Sequence, residues 1–274
     1  MKNTCLLFLL IQCLVISRVA AQEFSIYPAQ YLHFGASGGY TNIKDAGTSP
    51  LRYQGASAEL SFAYIAENTS STWGIYSDMS YSAGFAGTYY MMNYIKMRFD
   101  TYYLKQIPQI SGSTWQVQAG GSWLSNMAFT YNDAYLNASV NADFFSGPHV
   151  RGRFTYTFKR PEYERKIAFI RFRRPERRYR LIYELDLPLI IFNRRPPFSF
   201  VLNGSRTDLD IFDSHFFVGG SHLRSKLGLA RYLKNGNALQ LAYIWDVYTS
   251  GKRDIYRFET ASHLLQCAFY FKLN

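Results

Sequence analysis

The last residues of the chain, 262–274, alternate between apolar and mixed side chains, as a β-strand does when one of its faces meets an apolar environment. One parity is entirely apolar and carries Leu265, Cys267, Phe269, Phe271 and Leu273. The opposite parity carries Leu264, Gln266, Ala268, Tyr270 and Lys272. An apolar strand that leaves a free edge at the end of a chain promotes aggregation. We therefore expect this strand to pair with the first strand and close a barrel; the alternative is the last strand of a soluble sandwich.

The first residues, 1–21, have the pattern of a secretory signal peptide. Lys2 precedes an apolar run over residues 5–16, and small residues precede an expected cleavage after Ala21. The run is shorter than the roughly 20 residues that a membrane-spanning helix needs. The alternatives are a retained membrane anchor, or a lipoprotein signal that ends at Cys13. We expect residues 22–274 to form one domain without an internal disulfide, because Cys267 is the sole cysteine in that range.

Aromatic residues make up 18% of the chain, with 23 Tyr and 22 Phe, yet its mean hydropathy is slightly below zero. Residues 22–274 contain no run of 18 apolar residues, which excludes helical membrane spans. Tyrosine-rich strands of intermediate hydropathy are typical of transmembrane barrels, where lipid-facing and lumen-facing residues alternate. The composition therefore favours an all-β membrane protein.

Alternating segments predict about twelve strands, within a range of 10–14, in a transmembrane antiparallel up-and-down β-barrel. With the start of the chain on the periplasmic side, the breaks that face outside include residues 42–52, 126–133, 160–177, 205–215 and 249–259. The breaks on the periplasmic side are residues 67–70, 106–112, 146–149, 193–197 and 234–237. The second set is shorter, and short periplasmic turns with longer outer loops are the pattern of transmembrane barrels.

Charged residues recur on the polar parity of several predicted strands, where lipid would be costly and a wet lumen is tolerated. The charges that we expect to face the lumen are Lys96, Arg98, Asp100, Arg151, Arg153, Arg180, Glu184 and Asp186. Pairing among them would indicate a plug, whereas an open path lined by them would indicate a pore.

The net charge of +11 is concentrated between Arg151 and Arg180. We expect the centre of this cluster to be an outer basic loop that carries Arg160, Arg165, Lys166, Arg171, Arg173, Arg174 and Arg177. Arginine suits bidentate contact with phosphate, so the loop is interpreted as a collar in contact with outer-membrane lipid and lipopolysaccharide. The alternatives are a solvated loop or a mouth that attracts anionic solutes. Nucleic acid is not an expected partner of an exported chain.

Enzymatic chemistry has weak support in the sequence. The five histidines are His33, His149, His215, His222 and His263. None lies in an H-x-S motif, and no catalytic residue is predicted. His33 and His263 lie on the first and last strands, which makes a paired lumen site conceivable. No cofactor or metal site is predicted, although Asp208, Asp210 and Asp213 could loosely hold Ca²⁺.

Five features together are typical of one family: the cut before Gln22, L-H-F-G-A-S-G-G-Y at residues 32–40, S-P-L-R-Y-Q-G at residues 49–55, L-A-Y-I-W-D-V-Y at residues 241–248, and the closing A-F-Y-F-K-L-N. In these features the chain resembles the uncharacterised outer-membrane β-barrel proteins of Bacteroidota. The resemblance implies an outer-membrane location in a Gram-negative bacterium and transfers no activity or functional residue. The first functional hypothesis is a small channel or transport-associated barrel with a basic extracellular mouth. The others are a structural or accessory barrel of an envelope complex with another envelope protein as partner, and a lipid-modifying barrel hydrolase.

Overall fold

The structure, a computed structural model, describes residues 28–46, 49–88, 90–132, 140–195, 215–251 and 257–273. The strands are β1 (Ala29–Asp45), β2 (Arg52–Glu67), β3 (Ser71–Ala86), β4 (Tyr90–Gln106), β5 (Trp115–Asn132), β6 (Val140–Arg160), β7 (Tyr163–Ile167), β8 (Ile170–Arg174), β9 (Arg177–Pro188), β10 (Phe192–Arg195), β11 (His215–Val218), β12 (Ser221–Tyr232), β13 (Ala238–Ser250) and β14 (Phe258–Lys272). A short 3₁₀ turn, Pro108–Ile110, lies between β4 and β5. No helix in the described ranges is long and apolar enough to cross a bilayer.

Ten strands close into one antiparallel barrel, in the order β6-β5-β4-β3-β2-β1-β14-β13-β12-β9, and β9 returns to pair with β6. The expected pairing of the last strand with the first is confirmed. It runs without interruption from Tyr31 opposite Lys272 to Asp45 opposite Phe258. Closure leaves no free edge in this ring, which is the physical reason that an apolar last strand is tolerated. The β7–β8 hairpin forms a separate two-stranded sheet.

The two ends of the barrel are distinguished by the chain termini. Ala29, at the start of β1, and Lys272, at the end of β14, lie at one end, which we call the termini end. The connections at the termini end are residues 68–70, 107–114, 161–176 and 233–237. The strand ends that border residues 46–51, 87–89, 133–139, 196–214 and 251–257 lie at the opposite end, which we call the far end.

The barrel has ten strands rather than the twelve named by the sequence prediction, although ten lies within the predicted range. Residues 146–149, predicted as a turn, lie inside β6. The opposing chain bulges there, since His149 pairs with Pro188 while Ser146 pairs with Phe192. A proline lacks a backbone donor, so a bulge is one of the few places where a sheet accepts it.

The second predicted turn that the structure contradicts is at residues 193–197. Its first residues form β10, which continues the line of β9 along β6 and pairs with β11 on the other side. The predicted break at residues 126–133 is also wrong, because β5 continues to Asn132. The predicted strand at residues 198–204 lies outside the described residues, as does all of the predicted loop 205–215 except the backbone of His215, which begins β11.

The barrel is apolar outside and polar inside, which is the reverse of a soluble protein. Leu60, Phe62, Trp123 and Leu265 are at least half exposed on the outer wall, whereas their sequence neighbours point inward. Strand residues alternate between faces, and the burial patterns of β2 and β14 confirm which residues of these two strands were predicted to share a face. An apolar outer wall around a charged interior is the distribution of a transmembrane barrel.

Candidate functional site: a charged lumen and a basic rim

The structure places all eight predicted lumen charges on the inner face of the barrel. Seven of them are buried, and Glu184 is half-buried, with 21% of its side chain exposed. They come from β4, β6 and β9, on the parity opposite to the lipid-facing side chains of the same strands. The alternation in the sequence therefore determines on which side of the wall these charges lie.

A network of ion pairs centred on Asp246 fills the middle of the lumen. One of its carboxylate oxygens lies 3.0 Å from Lys96 Nζ and 2.7 Å from Arg224 Nη1, and Arg98 Nη1 is 3.8 Å away. The other oxygen lies 3.1 Å from His222 Nε2. Residues of β4, β12 and β13 thus converge on one carboxylate.

The two arginines in this network each contact further carboxylates. Arg98 forms an ion pair with Asp78 on β3. Arg224 lies 3.5 Å from Glu59 and 3.7 Å from Asp78, which extends the network to β2 and β3. Buried charges that share partners across the lumen fix strands that do not touch one another in the sheet.

A second group of ion pairs lies toward the termini end. The Arg151 guanidinium contacts both Asp100 and Asp186, and it stacks over the ring of Tyr102 with 4.5 Å to the ring centroid. A guanidinium presents several donors in one plane, so it can join two carboxylates at once.

The group continues with Arg153, whose Nη2 lies 2.6 Å from Glu184. Glu67 connects two arginines, at 2.8 Å from Arg180 and 3.8 Å from Arg153. The lumen charges therefore pair with one another, which is the arrangement expected of a plug.

Sequence reasoning missed several members of these networks. They are Glu59, Glu67, Asp78, Arg224, Lys226 and Asp246. The signal that could have found them is the same alternation, because Glu59, Asp78 and Asp246 occupy the polar parity of segments that were predicted as strands. Glu67 was assigned to a break, but β2 extends to this residue.

The charges of the central lumen balance. Between the far end and the rim of the termini end, the described residues place seven cations and seven carboxylates inside the wall. The cations are Lys96, Arg98, Arg151, Arg153, Arg180, Arg224 and Lys226; the carboxylates are Glu59, Glu67, Asp78, Asp100, Glu184, Asp186 and Asp246. The excess positive charge of the chain therefore lies outside this part of the lumen.

An apolar core closes the lumen near the far end. Its buried members are Ile43, Tyr53, Met92, Tyr94, Leu124, Ala128, Phe145, Ile191, Tyr248 and Phe258. We call this set the far-end core. Tyr94 and Phe258 contact each other across the lumen, with ring centroids 5.7 Å apart.

Arg195 lies against the far-end core and is almost completely buried. It forms an ion pair with Asp45 and lies 3.3 Å from Asp143, while its guanidinium covers the Phe258 ring at 5.0 Å from the centroid. The sequence placed this arginine in an exposed turn, so its role in filling the lumen was missed.

The remaining space inside the lumen is small. A cavity of about 60 Å³ lies in the half toward the termini end, among the charged groups and the rings of Tyr76, Tyr102 and Tyr270. This volume holds a few water molecules, given the roughly 10–15 Å³ that one water needs. A wider depression of about 430 Å³ opens at the termini end, where Arg178, Lys234 and Lys272 line it.

The basic loop lies at the end opposite to the one predicted. Residues 161–176 connect β6 to β9 at the termini end, and they include the β7–β8 hairpin. The sequence prediction put this loop at the end away from the N-terminus. The error comes from the two turns that were wrongly predicted at residues 146–149 and 193–197. The first reverses the inferred direction of the chain that follows it, and the second restores it, so the loop between them is assigned to the wrong end.

The placement of the individual basic residues follows from this topology. Arg165, Lys166, Arg171, Arg173 and Arg174 lie on the β7–β8 hairpin, and Lys166 is in register with Arg171. Arg160 ends β6 and Arg177 begins β9, directly opposite each other. All seven residues of the predicted loop are therefore at the termini end.

The described histidine side chains make hydrogen bonds to other histidines, to Asp246, to Tyr243 and to a backbone carbonyl. His149 Nε2 lies 3.1 Å from His222 Nδ1, and His222 contacts Asp246, but neither ring is hydrogen-bonded to a serine or cysteine. His33 and His263 do not pair, because His33 points into the lumen opposite Tyr270 while His263 is on the outer wall. The side chain of His215 and residues Asp208, Asp210 and Asp213 lie outside what the structure describes.

Comparisons with known proteins do not assign the chain to a family. No family model matches the chain, and no curated protein matches it. Among solved structures, it is similar to the translocator domain of the autotransporter NalP from Neisseria meningitidis, at 9% identity and a TM-score of 0.38, over 98% of this chain and 96% of that one. The transport unit of the autotransporter AIDA-I from Escherichia coli gives 8% identity and a TM-score of 0.44, over 94% and 92%. Ail, the attachment invasion locus protein of Yersinia pestis, gives 9% and 0.31, over 89% and 99%. At these TM-scores the likenesses carry no argument about function.

Proposed function

We propose that this chain is a non-conducting outer-membrane β-barrel that serves as a structural or accessory component of the cell envelope of a Gram-negative bacterium. One observation carries the proposal, namely that the lumen is filled by paired charges and by the far-end core. The cavities that the described lumen residues enclose have volumes of about 60 and 10 Å³, which is far less than a hydrated solute needs. The channel hypothesis of the sequence analysis loses its main support, because it required an open path lined by the lumen charges.

The outer membrane is proposed as the location because two features agree with it. The chain starts with the pattern of a secretory signal peptide at residues 1–21, and the barrel has an apolar outer wall. We further propose that the termini end faces the periplasm. A barrel that is inserted from the periplasm then moves only its far-end connections across the bilayer, whereas the opposite orientation would require both termini and the basic hairpin to cross.

The test is ion flux through the purified, refolded barrel in planar bilayers. We expect the wild-type protein to be silent under conditions in which its gel mobility before and after heating shows that it is folded. A matched variant removes the two opposed rings of the far-end core and one central ion pair, as Tyr94→Ala, Phe258→Ala, Arg98→Ser and Asp246→Ser. It keeps the net charge, and we expect discrete openings from it. Discrete openings of the wild-type protein would overturn the proposal.

A further inference from the structure

Three arginines form a band on the outer wall at the termini end. Arg160 on β6 and Arg177 on β9 are directly opposite each other, on the same parity as the outward-facing Phe158 and Tyr179. Arg231 on β12 is directly opposite Tyr179 and shares its outward parity. Arg160 and Arg177 are therefore side by side, and Arg231 lies diagonal to Arg177 on the next strand, two residues nearer the middle of the wall; we call these three side chains the arginine band.

The arrangement of the band is unfavourable unless an anion is present. Like charges directly opposite each other destabilise a pair of strands, and Arg160 and Arg177 are such a pair. In the part of the chain that the structure describes, neither residue takes part in an ion pair. Arg231 is half-buried on the same wall, and in the part of the chain that the structure describes it takes part in no ion pair either.

The height of the band on the wall indicates what that anion is. Phe158 stacks on Tyr179, with centroids 5.4 Å apart and planes at 14°, and also on Tyr156 at 5.9 Å. Stacked aromatic side chains on the outer wall of a barrel mark the boundary between hydrocarbon and headgroups. Arg177 lies two residues beyond Tyr179, which is about 6.6 Å farther along the strand, on the side away from the hydrocarbon. Phosphate groups of lipids lie at this level.

The charge distribution of the barrel favours anion binding at the arginine band. The central lumen is neutral, so it does not offset the arginines at the rim. Lys159 and Arg178 are opposite each other on the inner side of the same strands. The basic β7–β8 hairpin lies at the same end.

We propose that the arginine band binds the phosphate groups of anionic membrane lipids in the leaflet at the termini end. Guanidinium groups donate two parallel hydrogen bonds to phosphate, and three neighbouring arginines accommodate one or two headgroups. This inference rests on the membrane embedding stated under Proposed function but not on the absence of conductance. It replaces lipopolysaccharide of the outer leaflet with phospholipid of the periplasmic leaflet as the lipid in contact with the basic residues.

The experiment compares two triple variants with the same change of charge. The first, Arg160→Gln with Arg177→Gln and Arg231→Gln, removes the band. The matched control, Lys44→Gln with Arg52→Gln and Arg257→Gln, removes three cations from the rim of the far end. Binding of a fluorescent phosphatidylglycerol is measured by anisotropy in micelles of a neutral detergent, with fluorescent phosphatidylcholine as the reference lipid. Gel mobility before and after heating confirms that each variant is folded.

We expect the band variant to bind phosphatidylglycerol at least tenfold more weakly than the wild-type protein, since it loses three basic residues that attract an anionic surface. The control should stay within about twofold, and raising the salt concentration should weaken binding by the wild-type protein. Equal losses in both variants would overturn the inference. Complete competition by inorganic phosphate at the same concentration would also overturn it, because the site would then bind free anions rather than lipid. Failure of the membrane embedding itself would give a different result, in which neither lipid binds to any of the proteins.

Discussion

Asp246 is the carboxylate with the largest number of cationic partners in the lumen, and we predict that Asp246→Asn destabilises the barrel by about 3–5 kcal/mol. Its contacts with Lys96, Arg224 and Arg98 are 3.0, 2.7 and 3.8 Å long. At an effective dielectric constant of about 20, each such contact corresponds to roughly 4–6 kcal/mol of attraction before desolvation is counted. Desolvation of the ions offsets most of this sum. The net loss is therefore set by the cation that is left without a carboxylate.

Lys96 is that cation. Arg98 and Arg224 keep a contact with Asp78 when Asp246 is neutralised, whereas Lys96 has no second carboxylate in the described ranges. We therefore expect Lys96→Met in the Asp246→Asn background to recover roughly 1–2 kcal/mol, which is a typical coupling energy between contacting residues. The recovery distinguishes an unpaired buried charge from a general loss of packing.

The assay is urea unfolding of each variant in micelles of a neutral detergent, followed by tryptophan fluorescence and by gel mobility before heating. The matched control is Glu259→Gln at the rim of the far end, where the carboxylate is 26% exposed, contacts Arg257 and lies 4.0 Å from Arg52. An exposed pair of this kind contributes less than about 1 kcal/mol. If Asp246→Asn costs no more than the control, the lumen network does not stabilise the barrel and the reasoning is refuted.

Two further predictions concern the seam and the outer wall. Gly39→Ala should lower the melting temperature, because the new Cβ would lie 1.9 Å from the His263 carbonyl oxygen and overpacking costs about 1–3 kcal/mol. The control Gly38→Ala should leave it unchanged, because no atom lies within 4 Å of that Cβ. Equal melting temperatures of the two variants would contradict the close approach of β1 and β14. In phospholipid vesicles, Cys267 should resist a water-soluble maleimide and react only after unfolding, because its side chain is on the apolar outer wall. A cysteine introduced as Asn235→Cys, in the turn at the termini end, should react at once. Rapid labelling of Cys267 would contradict its contact with lipid.

The architecture could be predicted from local patterns. Alternation in residues 262–274 predicted both the orientation of the last strand and its pairing with the first, because only closure protects an apolar edge. The same alternation placed Lys96, Arg98 and Asp100 in the lumen. These properties depend on a period of two residues along single strands, and the sequence contains that period directly.

The direction of the strands in the second half could not be predicted in the same way. The tetrapeptide at residues 146–149 contains Gly147 and Pro148, which normally signal a turn. In the barrel these residues face a bulge instead, where the Leu189 amide donates to the Pro148 carbonyl at 2.9 Å. A Cβ on Gly147 would lie 2.1 Å from the Ile190 carbonyl oxygen, so the glycine is required by a close approach of two strands. That requirement comes from a residue more than 40 positions away and is invisible in the local sequence.

The partners in the lumen ion pairs could not be predicted from the sequence either. Parity indicates that a side chain points inward, but the identity of its partner depends on the circumference and stagger of the closed ring. Arg195 is the clearest case, since its neighbours in sequence suggest an exposed turn while Asp45 and Asp143 hold it inside.

Some partners in the lumen ion pairs are far apart along the chain, and this separation has a consequence for biogenesis. Lys96 and Asp246 are 150 positions apart, and Glu67 and Arg180 are 113 apart, on strands that are not neighbours in the ring. Hairpins between consecutive strands can form early, because their loops are short, whereas these contacts must wait until the whole chain has been synthesised and curled. A half-formed sheet would present unpaired charges on the face that becomes the lumen, and such charges are costly in hydrocarbon. We therefore expect late, cooperative maturation, in which only a completed ring is released into the bilayer and a truncated chain stays where water can still solvate its charges.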